Sequence, residues 1–108
     1  MATVDVICHV AIEDDWEMSR GFGQYEVSKR GVPLDDAGYV RATTPERVAE
    51  VVRDGYADLS LPLLRIDLSL AGLERAGVPV EWHDGDPRVV GPIPMDPDVV
   101  VGEEPLKP

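Results

Sequence analysis

Apolar and polar residues alternate at the start of the chain, and a period of two marks a strand with one buried face. Over residues 4–10, Val4, Val6, Cys8 and Val10 fall on one face and Asp5, Ile7 and His9 on the other. The pattern predicts a strand with its valines in the core and His9 turned away from it. "IEDDWEMSR" follows with acids in its first turn, which suit the positive end of a helix, while Gly21 and Gly23 supply a stop and Trp16 an anchor. Residues 22–36 mix Gly, Ser, Lys, Arg and Pro with Tyr25, Val27, Val32 and Leu34. That irregularity predicts a long ordered loop, a length uncommon without a task such as covering a pocket.

"GYVRATTPERVAEVV" repeats the opening pattern. Val40 and Ala42 share one strand face, and Tyr39, Arg41 and Thr43 share a polar one. Thr44 then suits an N-cap, Pro45 the first helical position and Glu46 the dipole. Val48, Val51 and Val52 form an apolar stripe at helical spacing, and Gly55 can close the helix in a left-handed conformation. In "LLRIDL" Leu64, Ile66 and Leu68 point inward and Arg65 and Asp67 outward; "LAGLERAGV" is a short helical turn. "VPVEWH" and "RVVGPIP" read as a hairpin joined at "DGDP". "DPDVVVG" is a last short strand, and residues 103–108 read as a solvated tail.

These elements predict one α+β domain over residues 1–108, with a mixed or mostly antiparallel sheet and two main helices. A doubly wound fold is disfavoured because the gaps between the later strands are too short for crossovers. Composition narrows the partners. The 108 residues carry a formal charge of −11, which repels nucleic acid and anionic membranes beyond about 8 Å at physiological salt. An anionic small molecule stays compatible wherever a few arginines reverse the local field. One cysteine and two histidines without paired spacing argue against a metal site and an internal disulfide. With no apolar run of membrane length and no leader pattern, a cytoplasmic location is expected. Cys8 between Val6 and Val10 reads as a small packed hydrophobe, and Asp84 and Asp86 around Gly85 as a hairpin turn rather than a calcium loop.

"CHV", "GYVRATTPERV", "LLRID" and "DPRVVGPIPMDPDVV" together resemble the bacterial family catalogued as domain of unknown function 952, over roughly residues 5 to 102. That resemblance implies an ADP-ribosyltransferase-like fold, in which a split sheet holds NAD or an ADP-ribose group in a central cleft. It implies that His9 matches a first-strand histidine facing the ligand, that Thr43 stands at a motif serine and that Ser28 matches a loop serine. Arg41 and Arg88 stand where the family usually has histidine, and Val90 where it has tyrosine. The late-strand glutamate of ADP-ribosyl transfer has no counterpart at Val89 or Val90.

An arginine in place of a histidine exchanges a proton carrier for a permanent planar cation, so the site shifts toward anion binding. The candidate pocket therefore has His9 and Arg41 as its reactive pair, with Arg88, Tyr39, Thr43 and Ser28 as ligand contacts and no cofactor. It would take an anionic metabolite or nucleotide-like group. Were it catalytic, a rearrangement, cyclisation or elimination is favoured over ADP-ribosyl transfer. Two other readings stay open: an acidic module that binds a basic protein, and an NAD-related enzyme. Equally open is a plain structural role, with Arg41 and Arg65 paired to Asp5, Asp67 or Glu81 on an exposed sheet face.

Overall fold

The computed structural model describes residues 5–106; Val4 of the expected first strand and Lys107 and Pro108 of the expected tail lie outside them. β1 (Val6–Ile12) pairs antiparallel with β6 (Leu63–Ser69), from Val6 opposite Ser69 to Ile12 opposite Leu63. On its other side β1 is joined at one rung. Cys8 and Thr43 form an antiparallel bridge, exchanging both backbone hydrogen bonds at 2.7 and 2.8 Å. Just upstream of Thr43, β5 (Val40–Arg41) pairs with β8 (Asp86–Val89), and β8 with β7 (Val80–His83). Two three-stranded sheets, β1–β6–β10 (the last Val100–Leu106) and β5–β8–β7, thus meet at a single bridge among the described residues. Every strand pairing among the described residues is antiparallel.

Four helices accompany the sheets: α1 (Glu13–Arg20), α2 (Leu34–Ala37), α3 (Val48–Gly55) and α4 (Leu70–Arg75). The architecture is α+β, with α1 anchored as expected by fully buried Trp16. The stretch read as a long loop is more ordered than that. It holds β2 (Gln24–Tyr25), β3 (Val27–Lys29), β4 (Val32–Pro33) and the single turn of α2. β2 is secured by pairing with β9 (Ile93–Pro94), and β3 by pairing with β4.

Four local expectations change. β1 is buried on both faces: Ile7, Ala11 and His9 lie in one layer with Trp16 and Tyr25, and Cys8 and Val10 in a second layer with Val48, Tyr56 and Leu63. Covered above and below, a central strand has no solvated polar face, so His9 is 1% exposed. Thr44 makes no side-chain cap; it leads into a 3-10 turn, Pro45–Arg47, and α3 begins only after it. Gly55 keeps to the helix, which closes through the Tyr56 N–H to the Val52 carbonyl. Finally, residues 103–106 are no tail. They belong to β10 (Val100–Leu106), which covers the free edge of β6.

The hairpin turns where expected, but its second strand is Asp86–Val89, and Ile93–Pro94 of the expected strand pairs with β2 instead. Asp84 (φ 53°) and Gly85 (φ 86°) both take positive φ between β7 and β8, the requirement of a type I′ turn. Among the described residues no helix is long and apolar enough to cross a membrane.

Candidate functional site

A cavity of about 380 Å³ opens beside the bridge where the two sheets meet. Its lining combines four parts of the chain: Cys8–Val10 from β1, Ser28–Arg30 at the end of β3, Arg41–Thr43 at the end of β5, and the face of α3 that carries Glu50, Val51 and Asp54. Arg47, Tyr56 and Asp86 complete the wall. Strand parity explains the chemistry. Val40 and Val89 face each other in the core, which leaves their neighbours Arg41 and Arg88, also directly opposed, on the outer face.

Of the residues singled out in the sequence, Arg41, Thr43 and Ser28 line the cavity together. Arg88 and Tyr39 do not. They sit beside it, with the Arg88 guanidinium 4.4 Å from the centre of the Tyr39 ring, a cation–π contact. His9 also belongs to the lining, but it is 1% exposed and both of its ring nitrogens are engaged. Its Nδ1 lies 2.7 Å from the Arg41 carbonyl and its Nε2 2.9 Å from the Tyr25 hydroxyl. A carbonyl can only accept, so Nδ1–H donates to it, and Nε2 accepts from Tyr25. Burial pushes this imidazole down to about 4, which keeps it neutral.

Cys8 is equally unreactive. The thiol donates to Asp67 Oδ1 at 3.2 Å, and burial with that carboxylate pushes it up to about 12. Asp67 in turn accepts from Arg65 at 2.8 Å, so Arg65 has the structural pairing that was open for it. Among the described residues no group of three His, Cys, Asp or Glu could hold a metal ion.

Cations decide the character of the wall. Arg20, Arg30, Arg47, Arg53 and Arg65 each hold carboxylate partners. Arg30 is tied to Asp58 at 2.7 Å, and Arg47 to Asp86 at 2.6 Å and Glu50 at 3.3 Å. Among the described residues Lys29, Arg41, Arg75 and Arg88 have no carboxylate partner. Three of those four stand on β3, β5 and β8, strands that lie side by side. In a chain of net charge −11 such a concentration of unpaired bases runs against the average field. Like charges directly across a ladder are also destabilising, and Arg41 faces Arg88 in that way.

Sequence reasoning missed Lys29, Arg47, Glu50, Asp54, Tyr56 and Asp86. Arg47, Glu50 and Asp54 recur at three- and four-residue intervals, a signal that one helical face turns toward something.

No family model and no curated protein matches the chain. Among solved structures, the crystal structure of protein CC0527 from Caulobacter crescentus is similar, with a TM-score of 0.74 at 16% identity over 94% of this chain and 86% of that one. A double-mutant form of the same protein is similar to the same degree, at 17% identity. At these identities the likeness establishes the fold alone.

Proposed function

We propose that the protein binds a small anionic metabolite in this cavity, with Arg41 as the principal cation, Lys29 beside it, and Ser28 and Thr43 as hydroxyl contacts. The observation that carries the reading is the gathering of unpaired cations on β3, β5 and β8 in a strongly acidic chain. A phosphate or carboxylate there would make charge-assisted hydrogen bonds and relieve the repulsion between Arg41 and Arg88. The reading is one of binding, and no reaction is assigned. His9 is buried, hydrogen-bonded at both nitrogens and neutral, and the Cys8 thiol stays protonated, so neither supplies a nucleophile or a proton carrier near neutral pH.

Arg41→Ala is the test. The side chain is exposed and unpaired among the described residues, so the melting temperature should stay within about 3 °C of the parent. Affinity for phosphate- or carboxylate-bearing metabolites, read by isothermal titration, should fall about 10- to 100-fold, the worth of a charged hydrogen-bonding pair. A large loss of stability with unchanged affinity would make Arg41 structural.

The ADP-ribosyltransferase-like kinship belongs to the same proposal. What supports it is the split sheet, joined among the described residues by the Cys8–Thr43 bridge alone, together with the resemblance of the strand motifs. Transferase activity is not part of it, since Val89 is a core residue and Val90 carries no carboxylate. Incubation with NAD is expected to release no nicotinamide and to leave the melting temperature unchanged; nicotinamide release measured by chromatography would overturn this.

A further inference from the structure

We infer that the cavity's occupant is a polyhydroxylated anion: a compact sugar or polyol bearing one phosphate or carboxylate. The inference rests on the anion reading above and adds what surrounds the charged group. Ser28 is 2% and Thr43 3% exposed and both line the cavity; Thr43 Oγ1 is a fully buried oxygen with no hydrogen-bond partner among the described residues. An unsatisfied buried polar group costs about 1–3 kcal/mol, so such groups are normally paired. Thr44 Oγ1 and Trp16 Nε1 are also unpartnered, but neither residue belongs to the lining.

The carboxylates distinguish hydroxyls from amines. Arg47 stands between Glu50 and Asp86, at 3.3 and 2.6 Å, and offsets one of their two charges. Each carboxylate nevertheless keeps unused lone pairs, because two oxygens offer about four acceptor sites. With Lys29, Arg30, Arg41 and Arg47 against Glu50, Asp54 and Asp86, the wall as a whole is positive and does not favour a ligand amine. Ligand hydroxyls find acceptors at Glu50 and Asp86 and two-way partners at Ser28 and Thr43. A planar base is poorly served, since Tyr56 is the one phenol or indole ring in the lining and its hydroxyl already meets the Arg30 N–H and the Val10 carbonyl.

The test compares anions matched in carbon number and charged group. Isothermal titration of the full chain with glucose 6-phosphate against hexyl phosphate, and with gluconate against hexanoate, should show the hydroxylated member of at least one pair binding about tenfold more tightly. Which pair responds tells phosphate from carboxylate. Ser28→Ala and Thr43→Val remove hydroxyls that no protein group uses, so both variants should fold, and each should bring that ratio toward one by weakening the hydroxylated member more than the bare anion of the same pair. Arg41→Ala should weaken both members of the pair. Equal binding of hydroxylated and bare anions, within about threefold, overturns the inference and leaves the anion reading standing. Binding of none of the four overturns both.

Discussion

Gly72→Ala should lower the melting temperature by about 12 °C or more, although alanine is the better helix former. Gly72 lies inside α4, where propensity alone would favour alanine by about 1 kcal/mol. Packing decides otherwise. A Cβ at this position would stand 2.0 Å from the Asp98 carbonyl oxygen, 2.8 Å from its carbon and 3.1 Å from Val99 Cα. Those atoms are backbone and firmly held. The Val99 carbonyl accepts the Ser69 N–H at 2.8 Å, the Val99 N–H reaches the Asp96 carbonyl at 2.8 Å, and the Asp98 N–H reaches Asp96 Oδ1 at 2.8 Å. Val99 itself is 1% exposed in the main core. To admit one methyl group, either α4 must lift, losing the Ser69 cap on the Gly72 N–H, or the run into β10 must shift away from β6. Overpacking against backbone belongs at the upper end of its usual range, about 3 kcal/mol, or about 12–24 °C for a domain of this size. Gly55→Ala is the control. No atom lies within 4 Å of that Cβ, so thermal melts followed by circular dichroism should show no loss. An unchanged Gly72→Ala melt would mean that the contact between α4 and residues 98–99 is looser than the structure has it.

The same close packing explains what could be read in the sequence and what could not. The strands centred on Val40 and Ile66 were legible because alternation reports burial, and the Asp84-Gly85 turn because its φ angles demand those residues. β10 was misread for a physical reason. Glu103, Glu104 and Pro105 are what a solvated tail contains, and they are also what an edge strand uses to discourage further pairing. β1 misled in another way: "VICHVAI" is almost continuously apolar, the mark of a strand covered on both faces, so choosing one valine face as the core left His9 on an open side that does not exist. For the site, parity within one strand was enough to put Arg41 and Thr43 on a common face. It could not supply Arg47, Glu50 and Asp86, whose meeting depends on how α3 and β8 pack around β1.

Acid should destabilise the fold well above the range in which carboxylates titrate, and His9 is the reason. Its neutral imidazole holds two elements together, donating from Nδ1 to the β5 carbonyl of Arg41 and accepting at Nε2 from Tyr25 of β2. Tyr25 packs in turn on Trp16, with ring centres 4.9 Å apart. In the folded chain protonation is held off until about pH 4, because the cation would lose its hydration and gain no carboxylate partner at either ring nitrogen. An unfolded chain takes up that proton near 6.5. Between those two values the unfolded state binds more protons, so stability rises with pH across that window. It is fully present above about 6.5, and it falls as the pH drops toward 4 by about 3 kcal/mol in all. Urea titrations at intervals from pH 7 to 4.5 should trace this decline, and in His9→Gln, which has no titrating imidazole, the decline should flatten. The long-range nitrogen–proton NMR spectrum should show the Nδ1–H tautomer persisting to about pH 4.5; an imidazole that titrates near 6.5 in the folded protein would refute the assignment. The same bond couples stability to the site. The carbonyl that accepts from Nδ1 belongs to Arg41, so His9 fixes the backbone that presents the principal cation of the cavity. Ligand affinity per folded molecule should therefore hold in His9→Gln only to the extent that the glutamine amide still reaches that carbonyl.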